Sequence, residues 1–360
     1  MEFNTEKLNL SSEHDLAQQV GWKCPSNIAI VKYWGKYGMQ LPKNPSISFT
    51  LNNAHTTTEV KTTPKSSTAN FSFEFSYNNE PKPEFHPKIE SFFERILPFC
   101  PYVSQVHFII NSLNSFPHST GIASSASAMS ALAICMVDLE DKWFQPFSNE
   151  TQKLRKASFL ARLGSGSACR SLYPHAALWG QTAEIESSSN EFAIPITVHE
   201  NFKNYCDHIL IVSSEEKEVS STAGHSLMNN HPEADNRYKT ANENIKSLLD
   251  ILKGGDFDSF CQLSEAEADQ LHLLMRTSNP PYNLLHENTL IILEKIKQYR
   301  KESDIPICYT LDAGPNVHVM FPNKFKSECE RFINNELKSL CENGRIIEDY
   351  MGLGPKNMFT

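Results

Sequence analysis

No apolar run in the 360-residue sequence approaches the roughly 20 residues that span a bilayer, so no membrane-spanning helix is expected. Met1 to Val20 is polar and acidic and lacks the basic and apolar regions of a signal peptide. The 9 cysteines, an odd number, include no C-x-x-C pair. That argues against a disulfide framework or a zinc site and for a cytoplasmic setting. Positive charge is in deficit: 33 Lys and Arg against 42 Asp and Glu leave a net charge of -9. Nucleic acid and acidic membranes are therefore not expected as partners, and an anionic ligand would need a local cluster of Lys and Arg. Internal repeats are missing as well.

The 40% hydrophobic and 21% charged content is that of a globular protein, and the length allows two cores. The first 20 residues, without periodicity, read as a tail or an edge extension. Strands are expected at Asn27 to Trp34, Ile47 to Leu51 and Thr56 to Lys61, the last two joined by the turn-prone Asn52-Asn53. Phe71, Phe73 and Phe75 alternate with polar residues, as in a strand with one buried face. Helices are expected at Pro87 to Leu97 and about Thr151 to Leu163, with a strand at Val106 to Ile110 between them. Glu184 to Asn204, rich in Ser and Asn, divides the chain into halves at 21–195 and 196–360. Beyond it, His208 to Val212, Ile307 to Leu311 and Val317 to Met320 read as strands. Ser220 to Thr222 can cap a helix, and 233–300 reads as mainly helical. Strands early and helices mixed with strands later imply an α+β protein.

The sequence turns on Phe116 to Glu140, FPHSTGIASSASAMSALAICMVDLE. Ile122, Ala126, Met129, Ala133 and Met136 recur at spacings of four and three, one apolar stripe of a helix. Ser124 and Ser125 then fall in its first turn, where backbone N–H groups lack intrahelical partners. The small residues Gly121, Ala123, Ser124, Ser125 and Ala126 let a polyanion approach, and the helix dipole favours it. The competing reading is a Ser-capped core helix. The segment has neither the Lys-Ser/Thr ending of a Walker A loop nor G-x-G-x-x-G spacing.

The stretch resembles the phosphate loop of the GHMP kinases, here 116–128. SNIAIVKYWGKYGMQLPKNPSISFTL (Ser26 to Leu51), GSGSACRS (Gly164 to Ser171) and LDAGPN (Leu311 to Asn316) narrow the resemblance to the diphosphomevalonate decarboxylases. It implies the two-lobed GHMP kinase fold, with an active-site cleft between the lobes. It also implies ATP and Mg²⁺ as cofactors, a homodimer, and mevalonate 5-diphosphate as substrate. In such enzymes ATP phosphorylates the 3-hydroxyl; phosphate and carbon dioxide then leave, giving isopentenyl diphosphate.

By the same resemblance, Gly121, Ala123, Ser124, Ser125, Ser127 and Thr222 face the ATP phosphates, and Ser125 stands nearest the transferred group or the metal. Tyr33 and Lys36 hold the substrate diphosphate, and both can donate to phosphate oxygens. Arg170 holds the C1 carboxylate through its planar fork, with Ser165 and Ser167 beside it on a flexible backbone. Ser221 lies near substrate or nucleotide. Asp312, at a strand end before a sharp turn, accepts a proton from the 3-hydroxyl or orients it. Lys32 is either a solvated strand lysine or a cation beside that carboxylate, and on a continuing strand it could not share a face with Tyr33. Cys169 has a packing role.

Several positions depart from the family pattern: Pro45, His118 and Ser119, Pro174 and His175, and a longer stretch before Lys23. Two other functions fit the motifs less fully. One is a GHMP kinase acting on mevalonate or its phosphates without decarboxylation; the other is a non-catalytic ligand sensor.

Overall fold

The computed structural model of the chain describes residues 8–116, 122–215 and 219–359. In the first half, β1 (Gln19–Val31) leads into a small hairpin, β2 (Lys36–Tyr37) and β3 (Leu41–Pro42), and then into β4 (Ser46–Pro64). β5 (Ser72–Tyr77), β6 (Glu80–Pro81), α1 (His86–Ile96) and β7 (Val106–Asn114) follow. Then come α2 (Ser124–Phe144), α3 (Glu150–Gly164), a 3₁₀ segment (Gly166–Leu172), β8 (Ala176–Trp179) and β9 (Ala193–Ile196). The second half contains β10 (Cys206–Leu210), α4 (Ser221–Leu227), α5 (Ala234–Gly254), α6 (Phe257–Arg276) and α7 (Glu287–Ser303). It ends with β11 (Cys308–Leu311), β12 (Val317–Phe321), α8 (Lys326–Phe332), β13 (Ile346–Tyr350) and β14 (Lys356–Asn357).

Among the described residues, one sheet runs β14-β1-β4-β7-β5-β6, with β8 joined to β4 and β9 to β8; a second runs β11-β12-β10-β13. This is the expected α+β class. β14 pairs with β1, so the last residues expected in the second half belong to the first sheet. The halves also share a core. Phe49 of β4 stacks parallel on Phe260 of α6, with ring centroids 5.3 Å apart, amid Phe202 and Tyr205. Apolar burial of this kind favours two halves that hold one arrangement.

Two local expectations are corrected. Asn52-Asn53 is not a turn between two strands, because β4 runs through it. The backbone N–H groups of Asn52, Asn53 and Ala54 donate to the buried Asp349 carboxylate at 2.8, 2.8 and 2.6 Å, which satisfies a bulge that would otherwise end the strand. The helix α2 is not amphipathic. It is buried nearly all round between the sheet, α3 and the 3₁₀ segment, while Met129 of the proposed stripe is half-buried and lines a cavity. Residues 8–18 pack onto the first half: Leu8 is buried, Leu10 N–H donates to Gln105 Oε1 (2.9 Å), and Trp143 Nε1–H donates to Asp15 O (2.9 Å).

Candidate active site

A cavity of about 780 Å³ lies between the start of α2 and the end of β11, walled by β1, α1, the 3₁₀ segment and α4. Its lining includes Lys32, Lys36, Lys88, Arg95 and Arg170, with Asp312 as the one carboxylate among the described residues. That is the local basic cluster an acidic chain needs to hold an anion.

The α2 end forms one wall. Ala123 enters the helix in the left-handed region, at φ 45, with no side-chain cap. Ser124 and Ser125 are inside the helix and line the cavity, so the Ser-capped reading fails. Ser125 is exposed, and its Oγ lies 3.3 Å from that of Ser165. Ser127 is misassigned: fully buried, it turns away to Thr56 of β4 (Oγ to Oγ1, 2.7 Å) and is not in the lining. A position three residues on faces the sheet here because α2 is wedged between layers. Thr222 lines the cavity; the cap of α4 is Ser220, whose Oγ accepts from Ala223 N–H at 3.2 Å. Gly121 and the side chain of Ser221 lie outside the described residues, as do His118 and Ser119.

The 3₁₀ segment carries Arg170 on fixed, not flexible, backbone. The carbonyls of Ser167, Ala168 and Cys169 accept from Asn27 Nδ2 (3.2 Å), Ser130 Oγ (2.7 Å) and Ser158 Oγ (2.9 Å). Gly166 has no room for a side chain: a Cβ would come within 2.8 Å of the Trp179 ring and 3.1 Å of Tyr33 Oη. Arg170 is buried, donating to Ser48 Oγ (2.9 Å), Ser46 Oγ (2.5 Å) and Asn27 Oδ1 (3.3 Å). Among the described residues no carboxylate pairs directly with it, so the interlobe ion pair is not its role. Burial works against its charge, and the nearby Asp312 supports it. Ser165 and Ser167 line the same wall, and Cys169 is buried in packing.

Lys32 is the larger surprise. It is 1% exposed, not solvated, and its ammonium donates to Thr310 Oγ1 at 2.7 Å and to Ala29 O. Burial pulls its pKa down to about 8, with Asp312 and Glu267 acting in the other direction. β1 ends at Val31, so strand alternation no longer governs, and Lys32 and Tyr33 both reach the cavity. A buried ion pair holds this turn. Arg237 donates to Glu267 through both terminal nitrogens (2.8 Å each), Glu267 accepts from Lys32 N–H (2.8 Å), and Arg237 donates to Lys32 O (2.8 Å). Tyr33 is packed edge-on to Trp179, with centroids 4.7 Å apart, and its hydroxyl is buried without a hydrogen-bond partner among the described residues. Lys36 lines the cavity with its Nζ 3.1 Å from Gln40 Oε1.

Asp312 follows β11 and lines the cavity opposite α2. Its carbonyl accepts from Gly314 N–H (2.8 Å) and faces His272 Nε2 at 3.1 Å. Asn316 anchors the far side of the turn: its Oδ1 accepts from Val212 and Ser213 N–H at 2.7 and 3.0 Å. Pro315 O accepts from Thr289 Oγ1 at 2.7 Å. These bonds give the LDAGPN motif a physical reason, since every flank of the aspartate is tied to a different element.

Several lining residues carried no readable signal. Asn27 on β1, Lys88 and Arg95 on α1 and His225 on α4 are isolated residues on three elements. Phe75, Tyr77 and Phe85 form an apolar end; the alternation of Phe71 to Phe75 pointed to a strand, not to a ring exposed in a cavity. Pro45 and His175 stand outside the lining. His175 instead bonds the lobe junction, donating to Gly352 O and accepting from Thr50 N–H (2.8 Å each).

The first half matches the diphosphomevalonate decarboxylase-like N-terminal domain over residues 24–191. The second matches the mevalonate 5-diphosphate decarboxylase C-terminal domain over residues 208–352. A diphosphomevalonate decarboxylase of Ganoderma lucidum is 29% identical over 332 residues, or 86% of this chain and 80% of its own. The mevalonate diphosphate decarboxylase of Staphylococcus aureus has a similar structure, with a TM-score of 0.81 and 26% identity over 94% of this chain and 98% of that one. MDDEF in complex with MVAPP, AMPPCP and magnesium gives a TM-score of 0.80 and 25% identity over 95% and 99% of the two chains. With both halves matched in order and the four motifs gathered in or beside one cavity, the chain belongs to the diphosphomevalonate decarboxylase family.

Proposed function

We propose that the protein decarboxylates mevalonate 5-diphosphate to isopentenyl diphosphate in an ATP-dependent reaction that releases ADP, phosphate and carbon dioxide. The observation that carries this is the meeting of Arg170, Lys32 and Asp312 with the start of α2 around one cavity. A plain phosphate-binding pocket needs no buried guanidinium without a carboxylate partner at the far end. A substrate that brings its own carboxylate gives Arg170 that partner.

The residues present fit the nucleotide and the metal. Ala123, Ser124, Ser125 and Thr222 offer small side chains, hydroxyls and helix-start N–H groups for phosphate. Among the described residues Asp312 is the one carboxylate of the lining, which suits Mg²⁺ held mainly by phosphates with Ser125 beside it. When bound, ATP supplies the phosphoryl group and Mg²⁺ neutralises charge on it. Tyr33 and Lys36 take the substrate diphosphate, and the unpartnered Tyr33 hydroxyl is a donor ready for an oxygen. Arg170, with Ser165 and Ser167, fixes the C1 carboxylate. Asp312 orients the tertiary 3-hydroxyl and takes its proton, with the charge of Lys32 acting on the same carboxylate. Once the 3-oxygen carries the phosphoryl group, it departs with the C3–O electron pair as phosphate, the electrons of the C1–C2 bond form the C2–C3 double bond, and C1 leaves as carbon dioxide.

Lobes at 21–195 and 196–360, with 356–357 returned to the first, belong to the same reading, as does a homodimer by family resemblance. A cytoplasmic setting is supported by nine free, buried cysteines. No helix among the described residues is long and apolar enough to cross a membrane. Incubation with ATP, Mg²⁺ and each of mevalonate, its 5-phosphate and its 5-diphosphate tests the proposal. Carbon dioxide is expected from the diphosphate alone. A phosphorylated product without carbon dioxide would favour the kinase reading.

A further inference from the structure

His225 lies on α4, 8% exposed, and lines the cavity. Its ring is held between Tyr33 and Trp34, with centroids 4.3 and 4.6 Å away. The turn that bears it is pressed against the same wall: a Cβ on Gly224 would meet the Trp34 ring at 2.8 Å and Tyr282 Oη at 2.7 Å. Gly35 N–H donates to His225 Nδ1 at 2.9 Å. A ring nitrogen that accepts carries no proton, so the proton of the neutral ring sits on Nε2. Burial pulls the pKa down to about 3; the charge of Lys36 adds to this and Asp312 opposes it. Among the described residues nothing accepts from Nε2, and the side chain's one hydrogen bond is that from Gly35. Besides the Tyr33 hydroxyl, the lining of the site therefore includes a second polar group, held by Gly35, whose donor has no partner among the described residues.

We propose that the Nε2–H of neutral His225 donates to a phosphate oxygen of the substrate's diphosphate, beside Tyr33 and Lys36. This rests on the reading of the cavity as the mevalonate 5-diphosphate site. A neutral donor here adds direction without placing a second positive charge against Lys36, whose ammonium already opposes an imidazolium. The bond from Gly35 makes the orientation permanent. The ring cannot turn its acceptor nitrogen toward the phosphate without losing a buried contact. Tyr33, Gly35, Lys36 and His225 thus form one arch, in which backbone from the start of the chain sets the tautomer of a side chain from its second half.

Two variants separate donation from packing. His225→Asn keeps an oxygen where Nδ1 accepts from Gly35 but lacks the reach of the donor. His225→Gln extends an amide N–H toward the Nε2 position. With the full-length protein, the dissociation constant and KM for mevalonate 5-diphosphate should rise about 10- to 100-fold in the Asn variant, the range for a hydrogen bond to a charged group. The kcat and the KM for ATP should stay within about threefold, because the contact is made equally in ground and transition states. The Gln variant should regain most of the affinity. A folded Asn variant that binds within about threefold of wild type would overturn the proposal, and so would a Gln variant as weak as Asn. Wild-type protein labelled with ¹⁵N-histidine gives a reading that needs no folded Asn variant. The resonance missing from His225→Gln should report the Nε2–H tautomer and shift on addition of mevalonate 5-diphosphate, whereas an Nδ1–H tautomer or an unmoved resonance would overturn it. Wild type that releases no carbon dioxide from this substrate removes the site reading and this role together. Release by wild type with normal Asn binding removes the role of His225 alone.

Discussion

At one end of the cavity Arg170 and Lys32 are buried and Asp312 is half-buried, on backbone that is bonded on every side; at the other, Ser125 stands exposed at the first turn of a helix. The buried end is assembled from distant segments. Thr310 meets Lys32, Ser46 and Ser48 meet Arg170, and Glu267 meets the turn after β1. The open end is local, made by a left-handed residue and two serines in one turn. The difference matches what each end has to do. The carboxylate and hydroxyl of a small substrate need fixed partners, since a small displacement there is costly in rate. A polyphosphate needs only N–H groups, hydroxyls and room.

The largest effect should come from the buried end. Asp312→Asn keeps the shape and one acceptor oxygen and removes the charge. The kcat should fall by at least about 10³-fold, with the dissociation constant of mevalonate 5-diphosphate changed less than about tenfold. Binding titration and carbon dioxide release on one preparation check both, with circular dichroism to show the fold intact. Arg170→Gln should lose roughly 2–5 kcal/mol in kcat/KM for the same substrate, through an unpaired carboxylate, while ATP binding changes little. Equal losses for both ligands would make Arg170 structural and blur the contrast between the ends.

At the open end, Ser125→Ala should lower kcat about 10²–10³-fold if its hydroxyl meets the transferring group. Ser127→Ala sharpens the test, because Ser127 bonds Thr56 in the core. It should lower stability by about 1 kcal/mol and leave the rate near wild type. A Ser125 variant within threefold of wild type at saturating Mg²⁺ would reduce the exposed serine to scaffold.

The smallest effect is a pH limb set by Lys32, whose pKa burial lowers from 10.5 to about 8. Between these values the unfolded chain holds the proton that the folded one has released. This group's contribution to stability therefore rises as pH climbs from about 8 toward 10.5. Activity moves the other way: kcat/KM should fall about tenfold per unit above roughly pH 8, as the cation beside Asp312 is lost. A flat profile between about pH 7 and 9 would take that cation out of the account.

The same contrast explains what could be read from residue order. The α2 start was legible because its parts are consecutive, and so was the turn that follows β11. The environment of Lys32 was not, since alternation along β1 says nothing of Glu267 and Arg237, which arrive from the second half. The misplacement of Ser127 has the same origin. The family resemblance suggested a ligand contact, but the wedging of α2 between layers decides which side faces β4. Asn52-Asn53 looked like a turn by composition; only Asp349, 295 residues beyond Ala54, keeps the strand continuous. The tautomer of His225 depends on Gly35 and could not be seen from either segment alone.

The most direct test of the whole account is the stoichiometry of a single turnover, with enzyme in excess over mevalonate 5-diphosphate and ATP and Mg²⁺ saturating. One ADP, one phosphate and one carbon dioxide per substrate, together with isopentenyl diphosphate, is the predicted result. One ADP per substrate with the carboxylate retained would contradict it, because Arg170 and Asp312 would then be serving a kinase.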